Sequence, residues 1–448
     1  MTGQVRSARV ARASAADTAR LAATVVAPLL ATGVIVRRPL VMGLAERLQS
    51  TRSAVRLFAD LRSRYGPGPL RVDIPGRSIV LLLSPEDVQR VLDGSPEPFA
   101  SANLEKRAAL AQFQPHGVLI SHGEVRAERR RFNEAVLEAD QPVHHLSDAV
   151  VAAVRQEARG ILGVAGAAGH LGWDDFAEGW WRIVRRVVLG EGARDDRVLI
   201  EQLRRLRSAA NWSVLSPRLT TLREAFMTRL RGHLDRAEPG SLAHLVATTP
   251  SAPDVDPAGQ IPHWLFAFDA AGMSTFRALA LLATHPAREL AAREDIGDLD
   301  APRQLPRLRA ALLDTVRLWP TTPAILRDST TDTEWRGSVV PEGSAFVVYT
   351  PFFHRDEATL PFANRFEPDI WLDGRAEAYP ALVPFSAGPA GCPGRNLVLF
   401  TTSTLLASFL DGHRFRLLSG PRLDPARPLP FTVNNFGFDF AVEPVTRG

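Results

Sequence analysis

A single cysteine, Cys392, occurs in 448 residues. The chain therefore forms no internal disulfide and no zinc or iron–sulfur site built on several thiolates, and it suits a reducing cytoplasm. Lysine is as scarce: Lys106 stands alone in a basic set made of arginine. With 53 basic against 49 acidic side chains the formal charge is only +4, which is not the balance of a nucleic-acid binder. No internal repeat or low-complexity linker divides the chain, so one large fold is expected in spite of the length. The apolar run from Leu21 to Val36 carries Pro28 and Gly33 and is too short for a membrane span. Residues 1–37 are expected as an arm, disordered or loosely docked, ahead of a catalytic domain over 38–448. A hydrophobic content of 45% leaves room for a sizeable core.

What is present is concentrated around that cysteine. Between Gly388 and Gly394 lie Pro389, Gly391 and Pro393, which prescribe a tight irregular turn, and Leu397-Val398-Leu399-Phe400 then starts a buried helix. The order predicts Cys392 as the N-cap with Pro393 in the first helical position. There the sulfur meets free backbone N–H groups and the positive end of a helix, which favour thiolate. An axial metal ligand, a nucleophile and a small apolar filler all remain open on the loop alone.

Along the chain, periodicity predicts one or two helices over 38–64, a strand pair over 70–74 and 78–83, and a helix from Ser84 to Leu92. Residues 98–122 read as a long functional loop. Helices follow over 123–138, 143–162, 173–188 and 195–236, the last broken near Ser216-Pro217. The helix from Ile261 to His285 is apolar nearly all round and therefore buried. Gly272 in its interior costs about 1 kcal/mol relative to alanine, which close approach of a flat ligand or a local helix opening would offset. Strands are expected over 331–348 and a hairpin over 431–438. The class is mainly α with small β-sheets.

The pattern Phe385-x-x-Gly388-x-x-x-Cys392-x-Gly394 resembles the haem-binding loop of the cytochromes P450. That resemblance implies Cys392 as proximal iron ligand of haem b (iron protoporphyrin IX), Phe385 packed near the sulfur, and Gly388 and Gly394 letting the loop approach the porphyrin. Three further stretches resemble the family in the same order. Arg126 and Arg130 on helix 123–138 match the pair that reaches the haem propionates, with Arg126 in place of Trp or His. Ala271-Gly272-Met273-Ser274-Thr275 is similar to the distal-helix pattern, in which Thr275 organises proton delivery to the reacting oxygen; Ser274 stands where the family has an acid. Asp314 and Arg317 resemble the E-x-x-R pair with aspartate for glutamate, Arg365 looks like its third partner, and Arg327 matches a propionate contact on the following strand. Ala390 replaces the usual Arg or His two residues before the cysteine, and Arg126 is expected to compensate.

The resemblance covers about residues 40–445. It implies a haem clamped between the distal helix and the cysteine loop, and a monooxygenase that inserts one oxygen atom from O2 into a small, largely apolar molecule. Electrons would come from separate ferredoxin and reductase partners. Phe99, Phe266, Phe268, Ile325 and Phe436 are expected to line the pocket. The missing acid at Ser274 leaves peroxide-driven oxygenation or radical coupling as an alternative, with Asp269 as a substitute acid, and the three departures together leave a non-catalytic haem-binding protein.

Overall fold

The computed structural model describes residues 10–212 and 217–445. Each half of the molecule has its own apolar core. The helical core gathers around the distal helix (Ile261–Thr284), where Phe276 stacks on Phe176 at 4.7 Å and meets Phe440 edge-on at 5.1 Å. The other core lies under a six-stranded sheet whose order is Ala11–Arg12, Leu70–Ile74, Arg77–Leu81, Ala345–Tyr349, Ala324–Ser329 and Phe99–Ala100. Phe385 packs on the first core and Ala387 on the second, so the cysteine loop lies at their seam.

Most predicted elements form within a few residues of their expected bounds. Helices Pro39–Leu48 and Ser50–Tyr65 precede the antiparallel pair Leu70–Ile74 and Arg77–Leu81. Ser84 caps helix Pro85–Asp93 by accepting the Asp87 N–H. The long loop after it contains helix Leu104–Leu110 and a short 3-10 turn, Val118–Ile120. The 195–236 stretch divides into Arg197–Ala210 and Thr220–Leu234; Ser216 lies outside the described residues.

Two expectations change. No hairpin forms over 431–438: a 3-10 turn, Asn435–Gly437, leads into strand Asp439–Pro444, which pairs with His413–Ser419. A neighbouring strand supplies the hydrogen bonds that a hairpin would have supplied locally. From residue 10 the N-terminal segment is docked. Ala11 and Arg12 extend the sheet, and Ser14 caps helix Ala15–Leu21, where Asp17 is held by Arg64, Tyr65 and Arg20. Residues 1–9 lie outside the described residues. By length and composition one described helix, Pro257–Thr284, could cross a membrane, but most of it is buried as the core helix.

The buried His354 and the desolvated, half-buried His263 should make this fold acid-sensitive. His354 accepts the Val383 N–H on Nε2 and donates from Nδ1 to the Arg317 carbonyl, so burial, and then the Arg317 charge, push it down to about 3. Burial, with Lys106 nearby, pushes His263 down to about 4. Both take up protons only when unfolded once the pH drops below their ordinary 6.5. Stability should therefore fall as the pH goes from 6.5 towards 4, by up to about 1.4 kcal/mol per pH unit for each histidine. Urea denaturation across that window, compared with His354→Gln, should show the variant's slope lower by one proton.

Candidate functional site

The cysteine loop is built from short-range constraints. Gly388 has φ +66°, and a Cβ there would stand 2.2 Å from the Leu92 carbonyl oxygen, so both backbone and space require glycine. The Gly391 N–H donates to the Gly388 carbonyl (2.9 Å) and the Cys392 N–H to the Phe385 carbonyl (3.0 Å). The following helix begins at Arg395 with Gly394 as its N-cap, so Cys392 is not the cap. Pro393 and Gly394 add one more turn between the thiol and the helix. The reason for a thiolate nevertheless holds, because the Gly394 and Arg395 N–H groups both point at the sulfur. Burial still pushes the thiol up, against these N–H groups and the Arg130 and Arg395 charges. Cys392 nonetheless presents accessible surface. A side chain deep enough to be desolvated and still accessible faces an internal space rather than bulk water, and it would gain its negative charge with a metal.

The helix Gly123–Leu137 braces this loop. Trp264 on the distal helix donates to Asn133 (2.6 Å), Asn396 donates to the Ala139 carbonyl (2.9 Å), and Arg130 donates to the Gly391 carbonyl (2.7 Å) while pairing with Glu134 at 2.5 Å. Arg130 thus holds the main chain next to Cys392. Arg126, one turn earlier, is buried, and its guanidinium has no hydrogen-bond or ion-pair partner among the described residues; its Nε is fully enclosed. Arg327 is also buried. It donates to Ser95 (3.0 Å) and to Ser386 of the cysteine loop (3.3 Å), and burial followed by the Arg126 charge lowers it to about 10. Lys106 donates to the Ser101 and Leu326 carbonyls, and burial, with Arg327 next, brings it down to about 7. No motif marks Lys106, and its being the only lysine in the chain is the one signal the sequence carries for it.

The buried Arg126 and Arg327 and the half-buried Lys106 lie together here, with a surplus of positive charge that costs free energy until anions meet it. A group carrying two carboxylates and binding a thiolate satisfies this donor set, as haem does: Cys392 would hold the iron, and Arg126, Arg327 and Lys106 would meet the propionates. Arg126→Ala should then have opposite effects on two states. The haem-free protein should be stabilised by about 1 kcal/mol, since an unpaired buried charge is lost, whereas haem should dissociate faster. Melting of the haem-free protein and haem transfer to an acceptor protein would measure these separately.

On the distal helix, accessible surface runs along Phe266, Ala267 and Ala270, while Ala271 and Ser274 are nearly buried and Thr275 fully so. Thr275 donates to the Ala271 carbonyl (2.8 Å) and Ser274 to the Ala270 carbonyl (2.9 Å), so both protons are used within the helix. Asp269 pairs with Arg207 at 2.5 Å and is not the substitute acid. Nor is Gly272 the place of ligand approach. A Cβ there would lie 2.6 Å from the Trp180 ring, whose Nε1 donates to the Phe268 carbonyl (2.9 Å). Gly272→Ala should therefore destabilise by about 1–3 kcal/mol through overpacking, in spite of alanine's better helix propensity, with a shift in tryptophan fluorescence as Trp180 moves.

Of the expected pocket phenylalanines, Phe266 meets Phe113 at 5.6 Å. Phe268 packs on Trp180 and Phe99 on Phe346 beneath the sheet, both within core contacts, whereas the half-buried Phe436 meets Trp173 edge-on at 5.2 Å. Ile325 belongs to the core under the sheet. The small residues Ala267 and Ala270 carry the open face instead, and alanine in a helix gives no signal of that.

The pair Asp314 and Arg317 forms as expected, two-pronged at 2.5 and 3.1 Å and fully buried. Arg317 also donates to the carbonyls of His354, Ala363 and Arg365. Arg365 contributes only that carbonyl: its side chain is exposed, because the main chain already saturates Arg317. A second cluster, Glu138, His144 and His145, holds no metal-ready histidine pair. His144 donates from Nε2 to the Val136 carbonyl and accepts the Leu146 N–H on Nδ1.

The sequence model of the family Cytochrome P450 matches residues 268–435. A probable cytochrome P450 4s3 of Drosophila melanogaster is 30% identical over 166 residues, 36% of this chain and 34% of that protein. A cyclooctat-9-en-7-ol 5-monooxygenase of Streptomyces melanosporofaciens is 30% identical over 153 residues, 32% of this chain and 33% of that protein. The alignments thus span about a third of the length of these curated relatives. Among solved structures, a cyanobacterial CYP120A1 with retinoic acid bound superposes with a TM-score of 0.70 over 86% of this chain and 94% of its own, at 16% identity. A zebra fish cytochrome P450 with abiraterone gives 0.69 over 88% and 99%, at 18% identity. The fold is that of these cytochrome P450 structures, and the sequence over residues 268–435 is similar to that of the cytochrome P450 family, whose members bind haem b through a cysteine thiolate.

Proposed function

We propose that this protein is a haem-thiolate monooxygenase that inserts one oxygen atom from O2 into a small, largely apolar organic molecule, with electrons from separate ferredoxin and reductase proteins in the cytoplasm. The observation that carries the reading is a deep, accessible Cys392, with two N–H groups on its sulfur, in a fold that also places unpaired Arg126 beside Arg327. Haem bound there supplies oxygen activation, which no side chain supplies. The protein's own part is to hold the thiolate through the Phe385 and Gly391 main-chain bonds, to meet the propionates with buried cations, and to keep water out along Ala267 and Ala270. Substrate would lie against that small-residue face and Phe266. The exposed Arg395 beside Cys392 fits an acidic redox partner, whereas Arg131 is paired with Glu124 and Glu128 and contributes little.

One observation favours the second reading, peroxide-driven chemistry. With Ser274 and Thr275 bonded back to the helix and Asp269 paired, no free carboxylic acid among the described residues bonds to Thr275 to deliver protons. Turnover with NAD(P)H, ferredoxin and reductase is expected, and it separates the two readings: product formed only with peroxide would overturn the monooxygenase.

A further inference from the structure

A second concentration of unpaired charge lies away from the cysteine loop. Between the N-terminal helices and the loops 319–323 and 431–433 is a cavity of about 80 Å³ into which Arg37 and Arg277 both project. Arg277, two residues past Thr275 on the distal helix, is buried, and no carboxylate pairs with it among the described residues. It donates from Nε to Asn435 Oδ1 (3.1 Å) and from Nη1 to the Trp319 carbonyl (3.0 Å), which leaves Nη2 without a partner. Asn435 is itself fully buried, and its Nδ2 donates to nothing. Arg37 donates to the Gly33 carbonyl (2.5 Å) and the Thr321 carbonyl (2.7 Å). The nearest acid in this neighbourhood, Asp269, is bound to Arg207 at 2.5 Å. Arg207 and Arg37 thus share one carboxylate, and Arg277 has none among the described residues.

Uncompensated buried arginines are expensive unless an anion meets them, and the guanidinium fork suits a planar oxyanion. The rest of the wall decides which anion. Val25, Pro28, Leu29, Met42 and Phe431 give the cavity an apolar wall alongside the hydroxyl-bearing Thr24, Thr32, Ser50, Thr51 and Thr432; a fully hydrated inorganic ion does not use that apolar wall and a hydrocarbon chain does. We infer that the Arg37–Arg277 cavity binds the carboxylate of an organic acid, with the acid's apolar chain lying against the N-terminal helices and Phe431. This site does not rest on the haem reading, since neither arginine touches the cysteine loop. Burial, and then the Arg37 charge, bring Arg277 down to about 9, so it is still charged at neutral pH when an acid arrives.

The test uses the full-length, haem-loaded protein with sodium octanoate, octanol and sodium phosphate as probes, read by thermal melting and by the haem absorption spectrum. Octanoate is expected to raise the melting temperature saturably by a few degrees, and octanol and phosphate at equal concentration are not. Arg277→Gln should abolish the octanoate response, and Arg37→Gln should weaken it about tenfold. Should Arg277→Gln fail to fold, Arg37→Gln and the contrast between octanoate and octanol carry the test. An equal response to octanol, saturation by phosphate in place of octanoate, or an octanoate response unchanged in the arginine variants would each overturn the inference. So would a saturating haem spectral shift that parallels the melting response and survives Arg277→Gln, because it would assign the acid to the haem pocket.

Discussion

Cys392→Ser is expected to abolish the red-shifted absorption band that the reduced, haem-loaded protein gives with carbon monoxide, and to abolish turnover with it, while leaving the fold nearly unchanged. The band reports a thiolate on the iron, and no other cysteine exists to replace it. The fold should survive because the loop is held by its main chain. The bonds from Cys392 N–H to Phe385, from Gly391 N–H to Gly388 and from Arg130 to the Gly391 carbonyl do not involve the sulfur. The Gly394 and Arg395 N–H groups that point at the sulfur can donate to a serine hydroxyl equally well. Apo stability should therefore change by only about 1 kcal/mol. Loss of the band with unchanged melting of the haem-free protein separates a lost ligand from a lost fold; a band that persists in the serine variant would remove Cys392 from the iron.

How far the site could be read from sequence follows from how local its constraints are. Gly388 was legible because its positive φ and its contact with the Leu92 carbonyl fall inside a motif of fixed spacing. The Asp314–Arg317 pair was legible because i and i+3 are neighbours on any helix. What stayed hidden depends on groups distant in sequence. Trp180 fills the space over Gly272 from 92 positions earlier, so the glycine looked like room for a ligand when it is room for an indole. Lys106 reaches the Leu326 carbonyl from a loop with weak periodicity. The strand after Asn435 finds its partner in His413–Ser419, and turn residues alone do not specify such a pairing. Asp269 could be named as an acid from sequence, but not that Arg207 on another helix claims it.

Asp314→Ala should be strongly destabilising, by about 3–5 kcal/mol, because it leaves the fully buried Arg317 without its counter-charge. The aspartate does more than neutralise. Its Oδ2 accepts the Glu367 N–H at 2.7 Å, and Trp371 Nε1 reaches Oδ1 at 3.3 Å, so the change also strands two donors on the segment leading to the cysteine loop. The shorter side chain needs no water to close the pair, since both prongs bond directly. Arg317→Ala should cost as much by the opposite route, leaving the carbonyls of His354, Ala363 and Arg365 unpaired. Arg365→Ala should be nearly silent, within about 0.5 kcal/mol, because an exposed side chain there contributes nothing to the network. A double-mutant cycle on Asp314 and Arg317, read by urea denaturation with haem content measured in parallel, should give a coupling of about 1–3 kcal/mol. Haem retention should fall in both single variants, because His354, held by the Arg317 carbonyl, passes the network on to Val383 at the entry of the cysteine loop. If Arg365→Ala proved as damaging as Asp314→Ala, the third partner would be a side chain after all, and the main-chain account of this lock would be wrong.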